Sequence, residues 1–495
     1  MRRVYRLALA GLLAVVAGGL GAPAYAAAFT VNNTSDAPDA VPGDGVCLTS
    51  GGFCTLRAAL QEANALAGAD TVSVPAGNFV LTLGRLIISS DVTVTGAGSA
   101  QTFVDGSSAD SVLQVLSGTV ALSSVTVRNG GGPSGSAILN AGTLTVTSSV
   151  VTNSGNPAVN GGAISNTGTL TVNASQLTGN RGLRGGGIVS PPGSSVTVND
   201  TSITGNTAAT FGGGLATGGP LTVNRSIISG NTAADGGGFA ALNLTLTQSE
   251  VSGNSAQRGG GVAMSDGTIS NSTISTNTAS VFGGGVVLQA GPFARATAIN
   301  FTTIALNVAP AGQGASLYTG SGVVGNPVTV TYHDTIFQDT PAAAGNCHAS
   351  ANSTMTSIGH NLSSDGTCPL GAAGDLPNTP ALLGPLQNNG GSTRTHALII
   401  GSPAINAAGP CPPPATDQRG VPFVRPQGPA CDIGAFEAVP LAIPPTPTPI
   451  GLPVAGERPG LPPVGPGPWL LLILVAVLGA SLSAAGLVAG RSRRA

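Results

Sequence analysis

The chain has 495 residues, of which 75 are Gly and 36 are Pro; 8% are charged, 3% are aromatic, and the formal net charge is −2. That balance leaves no electrostatic footprint for nucleic acid. All 18 basic residues are Arg, and the absence of Lys excludes Schiff-base chemistry, phosphate-binding Lys loops and Lys isopeptide crosslinks. Residues 1–26 read as a secretory signal peptide: Arg2, Arg3 and Arg6, an apolar run over 7–20, and the small-x-small site Ala24-Tyr25-Ala26. The rival is a retained membrane helix, against which the run is short and ends in Gly-Ala-Pro.

Residues 27–80 read as a cap. Residues 29–32 can pair as an edge strand. Leu56, Ala59, Leu60, Ala63 and Leu66 fall at helical spacing behind Thr55, a good N-cap. A helix across the open end of a stack of strands hides unpaired edges. Val46-Cys47-Leu48 and then Cys54-Thr55-Leu56-Arg57-Ala58-Ala59-Leu60-Gln61-Glu62-Ala63-Asn64 resemble the CSLREA module of secreted bacterial proteins, with Thr55 for its Ser and Ala58 for its Glu. The resemblance implies the start of a pectin-lyase-like β-helix rather than an activity.

Export permits disulfides. The six cysteines form three local pairs in sequence, Cys47 with Cys54, Cys347 with Cys368 and Cys411 with Cys431, and these pairings are expected over the 15 that six cysteines allow. A metal site is the rival, but no His lies near Cys47 or Cys54, and His348 reads as an isolated loop residue.

Residues 81–340 read as solenoid. The first coils, to about residue 150, are irregular, with alternating strands at 92–98 and 122–127. From about 151 to 309 one phrase recurs, closing on Asn180, Asn206, Asn231, Asn254, Asn277 and Asn307. Glycine triplets beginning at Gly185, Gly212, Gly236, Gly259 and Gly283 follow the first five. A period in the twenties means a stack of coils that cannot bury their cores singly. Three residues before each Asn stand Leu177, Ile203, Ile228, Val251, Ile274 and Ile304; eight before stand Val172, Val198, Val223, Leu246, Ile269 and Ile299. These predict two inward columns of a right-handed parallel β-helix, an all-β fold, with Asn and hydroxyl ladders at the bends. The turns resemble those of polymorphic outer-membrane adhesins and autotransporter passengers, a likeness of fold. One more coil is readable over 326–337.

Residues 341–438 leave the repeat. Gly401-Ser402-Pro403-Ala404-Ile405-Asn406, Asp417-Gln418-Arg419-Gly420 and Cys431-Asp432-Ile433-Gly434-Ala435-Phe436-Glu437 resemble the choice-of-anchor Q domain that ends many surface β-helices, with Asn406 where that family tends to have Asp. Residues 439–468 are a Pro-rich stalk. Residues 469–490 are apolar and uncharged, long enough for a transmembrane helix. Trp469 suits the interface, and Arg491, Arg493 and Arg494 in the tail at 491–495 suit the cytoplasmic side. Alternatively, Leu452-Pro453-Val454-Ala455-Gly456 with the apolar stretch and basic end resembles a sortase sorting signal, with Ala455 for the usual Thr.

Catalysis on such a fold needs gathered carboxylates. Counted from the nearest following Asn, Asp200, Glu250 and Asp266 fall at three phases, and Asp235 lies four past Asn231, so convergence is not expected. Asp200 and Arg225 share a phase and read as an exposed ion pair. The repeats also read as lacking aromatics that stack on sugars. The terminal cluster of Asp417, Arg419, Arg425, Asp432 and Glu437 reads as a salt-bridged cap on the last coil, with Asp417, Asp432 and Glu437 the weak catalytic candidates. His360 and His396 are isolated. No cofactor or metal is expected. The reading is a non-enzymatic cell-surface β-helix in adhesion or surface structure, with surface glycans or other cells as partners and the membrane as anchor. The alternative is a polysaccharide lyase or glycoside hydrolase.

Overall fold

The computed structural model describes residues 26–289, 295–320, 327–339, 345–411 and 415–439. One coil shows the plan. It runs through Ile188–Ser190 and Ser195–Asn199, turns at Asp200, continues through Ser202–Thr204, turns at Gly205 and returns through Thr207–Phe211. Each strand pairs in parallel with its counterpart one coil on. The first two legs build a 21-stranded sheet and the third a 12-stranded sheet. The fourth leg makes short pairings such as Arg181–Arg184 with Thr207–Phe211. This is a parallel β-helix.

The predicted columns are present in register. Leu177, Ile203, Ile228, Val251, Ile274 and Ile304 pair in succession and are fully buried. Val172, Val198, Val223, Leu246, Ile269 and Ile299 form the second column. Between the sheets Ala174, Asp200, Arg225 and Gln248 take left-handed φ of 46–50°, which turns the chain sharply after each first-sheet strand. At the next corner Gly205 has φ 63°, a conformation glycine adopts at no steric cost.

The closing asparagines lie inside, where their amides chain along the helix axis. Asn180 Nδ2 donates to Asn206 Oδ1 at 3.0 Å, Asn206 to Asn231 at 3.1 Å, Asn231 to Asn254 at 3.0 Å, and Asn254 to Asn277 and Asn277 to Asn307 at 2.9 Å. The chain ends on Asp339, which accepts from Asn307 N, Asn307 Nδ2 and Ser316 Oγ. Burial raises the Asp339 carboxyl to about 7.

The cap helix is Leu56–Ala65, with Thr55 Oγ1 accepting from Ala58 N at 3.1 Å. Leu56, Ala59, Leu60 and Ala63 face the core, and Arg57 ties the helix to Asp36 at 2.6 Å. The disulfides Cys47–Cys54, Cys347–Cys368 and Cys411–Cys431 are formed.

Two expectations change. The repeat continues beyond residue 340: Cys347–Ala349, Ser353–Gly359 and Leu362–Ser363 add to both large sheets. The terminal block does not close the last coil. It folds back along the flank of the 12-stranded sheet, because polar corner side chains there offer it partners. Gln248 Nε2 donates to Asp417 O (3.0 Å), Asn271 Nδ2 to Thr416 O (2.7 Å), Thr273 Oγ1 to Gln418 Oε1 (2.6 Å) and Ala435 N to Thr303 Oγ1 (3.0 Å). Among the described residues no helix is long and apolar enough to cross a membrane. The expected signal peptide, transmembrane helix, sorting motif and basic tail lie outside the described residues.

Candidate binding groove

The residue immediately before each glycine triplet forms a column of its own. Arg184 pairs in register with Phe211, Phe211 with Asp235, Asp235 with Arg258 and Arg258 with Phe282. The triplets set this column. A Cβ on Gly213, Gly237 or Gly260 would meet the next coil's carbonyl at 2.4–2.5 Å, so only glycine lets the coils stack at this bend. The chain leaves the bend into the first sheet, and the residue ahead of it is thrown outward.

Beside this wall runs the outward face of the next strands. Ser165, Val189, Ala216, Ala240 and Ala263 make its floor, pairing in succession with Val287. Pro191, Pro192, Gly218, Leu242 and Gln289 make the far side. Arg184, Phe211 and Asp235 of the wall, with this floor and far side, line a groove of about 590 Å³, within the usual range for ligand sites; Arg258 and Phe282 continue the column beyond it. The buried Thr217 also lines it, and its hydroxyl has no hydrogen-bond partner among the described residues.

The wall alternates chemistry. The Arg184 guanidinium sits over the Phe211 ring, 5.0 Å from its centroid, and forms no ion pair among the described residues. Phe211 is 39% exposed. Arg258 holds Asp235 with two hydrogen bonds, and the carboxylate is buried beneath it. Phe282 stacks on Tyr318 at 4.3 Å and Tyr318 on His348 at 5.0 Å. Tyr318 and His348 continue the floor column beyond Val287, so aromatic rings rise where the small-residue floor stops.

These contacts correct two expectations. The repeats do carry aromatics, concentrated on one wall. The four carboxylates Asp200, Asp235, Glu250 and Asp266 stay apart as expected, and Asp235 faces the cation Arg258 in its own column. Counting from the closing Asn hides that column because the loop after it varies: Gly185 follows Asn180 by five residues, whereas Gly212 follows Asn206 by six. Counting from the triplet instead aligns Arg184, Phe211, Asp235, Arg258 and Phe282 at once. His348 is a strand residue stacked on Tyr318 rather than a lone loop residue.

The other candidates lie elsewhere. Asp200 and Arg225 form the expected exposed pair at 2.6 Å. Glu250 is buried and accepts from Arg394 N at 3.0 Å, fastening the terminal block. Asp417, Asp432 and Glu437 come together but are enclosed, at 0%, 1% and 0% exposure. Asp417 binds Arg419 at 2.6 Å, and that guanidinium lies between Phe423 and Phe436. Arg425 lies over Phe301 and 3.8 Å from Glu437. Burial raises the Asp432 and Glu437 carboxyls. His396 is buried between Ser275 Oγ (2.8 Å) and Gly384 O (2.7 Å), and burial lowers its pKa. His360 bonds Ala407 O at 2.9 Å. Among the described residues no three His, Cys, Asp or Glu gather as a metal site.

No family model matches the chain, and no curated protein matches it in sequence. Among solved structures it is similar to the pectate lyase Pel9A, at 12% identity and a TM-score of 0.42 over 84% of this chain and 97% of that one. It is also similar to the PL6 family alginate lyase AlyGC, at 12% identity and a TM-score of 0.34 over 61% of this chain and 52% of that one. A mannuronic-acid-specific family 6 lyase from human gut microbiota gives 10% identity and a TM-score of 0.33, over 63% and 86% respectively.

Proposed function

We propose that the chain is an exported surface β-helix that holds a linear acidic polysaccharide in this groove. One observation carries the reading: the outward column before the glycine triplets, where Arg184 and Phe211 flank a floor of Val and Ala. A flat ring beside a smooth apolar bed suits the faces of sugar residues. Arg184, with no carboxylate partner among the described residues, suits an acidic substituent. The sequence reading of residues 1–26 as a signal peptide and of the C-terminal segment as an anchor, a retained helix or a sortase signal, supports an adhesive surface outside the cell.

Binding without cleavage is the expected outcome. Asp235 is the only carboxylate among the groove-lining residues, and Arg258 engages both its oxygens. The second reading is a polysaccharide lyase or hydrolase, the lyase activity being the one that the three similar structures carry in their names. What favours it here is the Asp235–Arg258 pair itself, a carboxylate and a cation on adjacent rungs of the groove wall. One experiment separates the two. Purified full chain is offered polygalacturonate, alginate and neutral glucans, with bound polymer and new unsaturated or reducing ends followed together. Retention of an acidic polymer without new ends supports the binding reading. New ends that vanish in Asp235→Asn establish the enzyme, and neither retention nor new ends with any of the polymers overturns both.

A further inference from the structure

We infer that the groove takes an acidic polysaccharide whose free carboxylates are spaced apart by neutral sugars, in preference to a polymer charged at every residue. This deepens, and rests on, the glycan-binding reading above. Charge is scarce along the groove: among its lining residues only Arg184 and Asp235 are charged. Arg184 is exposed, lies over the Phe211 ring and forms no ion pair among the described residues. Asp235 stands two rungs further along the column, about 10 Å away at the strand spacing of a sheet. Arg258 engages both its oxygens and continues the column beyond the groove, so this pair offers no second cation to a ligand.

The floor is neutral over its whole length. Ser165, Val189, Ala216, Ala240 and Ala263 succeed one another on five rungs, a run of about 19 Å. A pyranose advances an extended chain by about one rung, so about four sugars lie over this floor. A polymer charged at every residue brings a carboxylate with each of them. One meets Arg184. The rest are laid against apolar side chains or approach Asp235, and a carboxylate drawn from water without a partner is strongly disfavoured. Neutral sugars incur no such cost. Their faces suit the apolar bed, and Thr167, Ser265 and Gln289 along the groove suit their hydroxyls. The groove therefore favours the first carboxylate and disfavours the next.

The test holds the backbone constant and varies only its charge. The full chain is titrated calorimetrically with homogalacturonan that is fully de-esterified, half methyl-esterified or almost fully methyl-esterified. The half-esterified polymer should bind tightest, by about tenfold over either extreme, which is about 1.4 kcal/mol. Arg184→Ala, at an unchanged melting temperature, should abolish this optimum and leave the almost fully esterified polymer the tightest of the three. Arg181→Ala removes an exposed cation outside the groove lining and should leave the optimum in place. A wild-type affinity greatest for the fully de-esterified polymer overturns the spacing inference while leaving the acidic-glycan reading standing. An optimum that survives Arg184→Ala, or is lost in Arg181→Ala, overturns the role given to Arg184. A wild-type affinity greatest for the almost fully esterified polymer overturns the preference for acidic chains. Absence of binding to all three and to alginate overturns the reading beneath it.

Discussion

Asn231 and Asp235 lie four residues apart on one coil, yet the columns they belong to differ completely. The Asn231 column repeats the same side chain on six rungs and finishes on Asp339. The Asp235 column reads Arg, Phe, Asp, Arg, Phe. The reason is what each rung touches. Each buried amide donates to the side chain of the next rung and to a backbone carbonyl of the previous coil, so the position keeps one residue type over six coils. An outward rung meets solvent or a ligand, and nothing internal dictates its identity. Uniform columns therefore report the scaffold, and a varied column on the same scaffold reports the surface that does something.

The largest effect should come from breaking the scaffold. Ile228→Asp puts an uncompensated charge into a fully buried column and should cost about 5 kcal/mol or more. A soluble variant with an unchanged melting temperature would contradict the column.

Asn231→Leu comes next. It removes the acceptor for Asn206 N (2.9 Å) and the donor to Ile203 O (2.9 Å), stranding buried backbone groups at a cost of about 3 kcal/mol. Thermal unfolding measures it, and a loss below about 1 kcal/mol would mean the amide ladder is ornamental.

Asp339→Asn should strengthen the same ladder, in a pH-dependent way. Burial lifts the folded carboxyl from 3.8 to about 7, so folding takes up a proton between those values. Stability from this group is full below about pH 4 and falls as pH rises through the window to 7. The Asn variant does not titrate there. Its gain should be about 4 kcal/mol at pH 8, a rise of several degrees in Tm, and should vanish near pH 4. An equal gain at both pH values would remove the carboxyl from the account.

The smallest effect on stability is expected in the varied column. Phe211→Ala should change stability by less than about 0.5 kcal/mol while weakening glycan retention. A large destabilisation there would make Phe211 a packing residue and collapse the distinction between the columns.

Much of the scaffold was legible because it repeats. The inward aliphatic positions, the corner Asn and hydroxyls, the capping helix behind Thr55 and the three disulfides all follow from local spacing. The groove wall was equally present in the sequence, one residue before each triplet. It stayed hidden because its members share no residue type and because the loop from Asn to triplet changes length.

By itself the sequence determined the parallel β-helix, since coils of one period with apolar residues at fixed phases can bury them only by stacking. It also determined which residues close each corner. The tertiary structure alone decided that Glu250 lies buried under Arg394, that Asp417 and Glu437 are sealed in the folded-back block, and that Arg184, Phe211, Asp235, Arg258 and Phe282 share one column. Those outcomes join residues from different coils, or from segments more than 140 positions apart such as Glu250 and Arg394. No local period carries that information; it arises when stacking brings each rung beside the next.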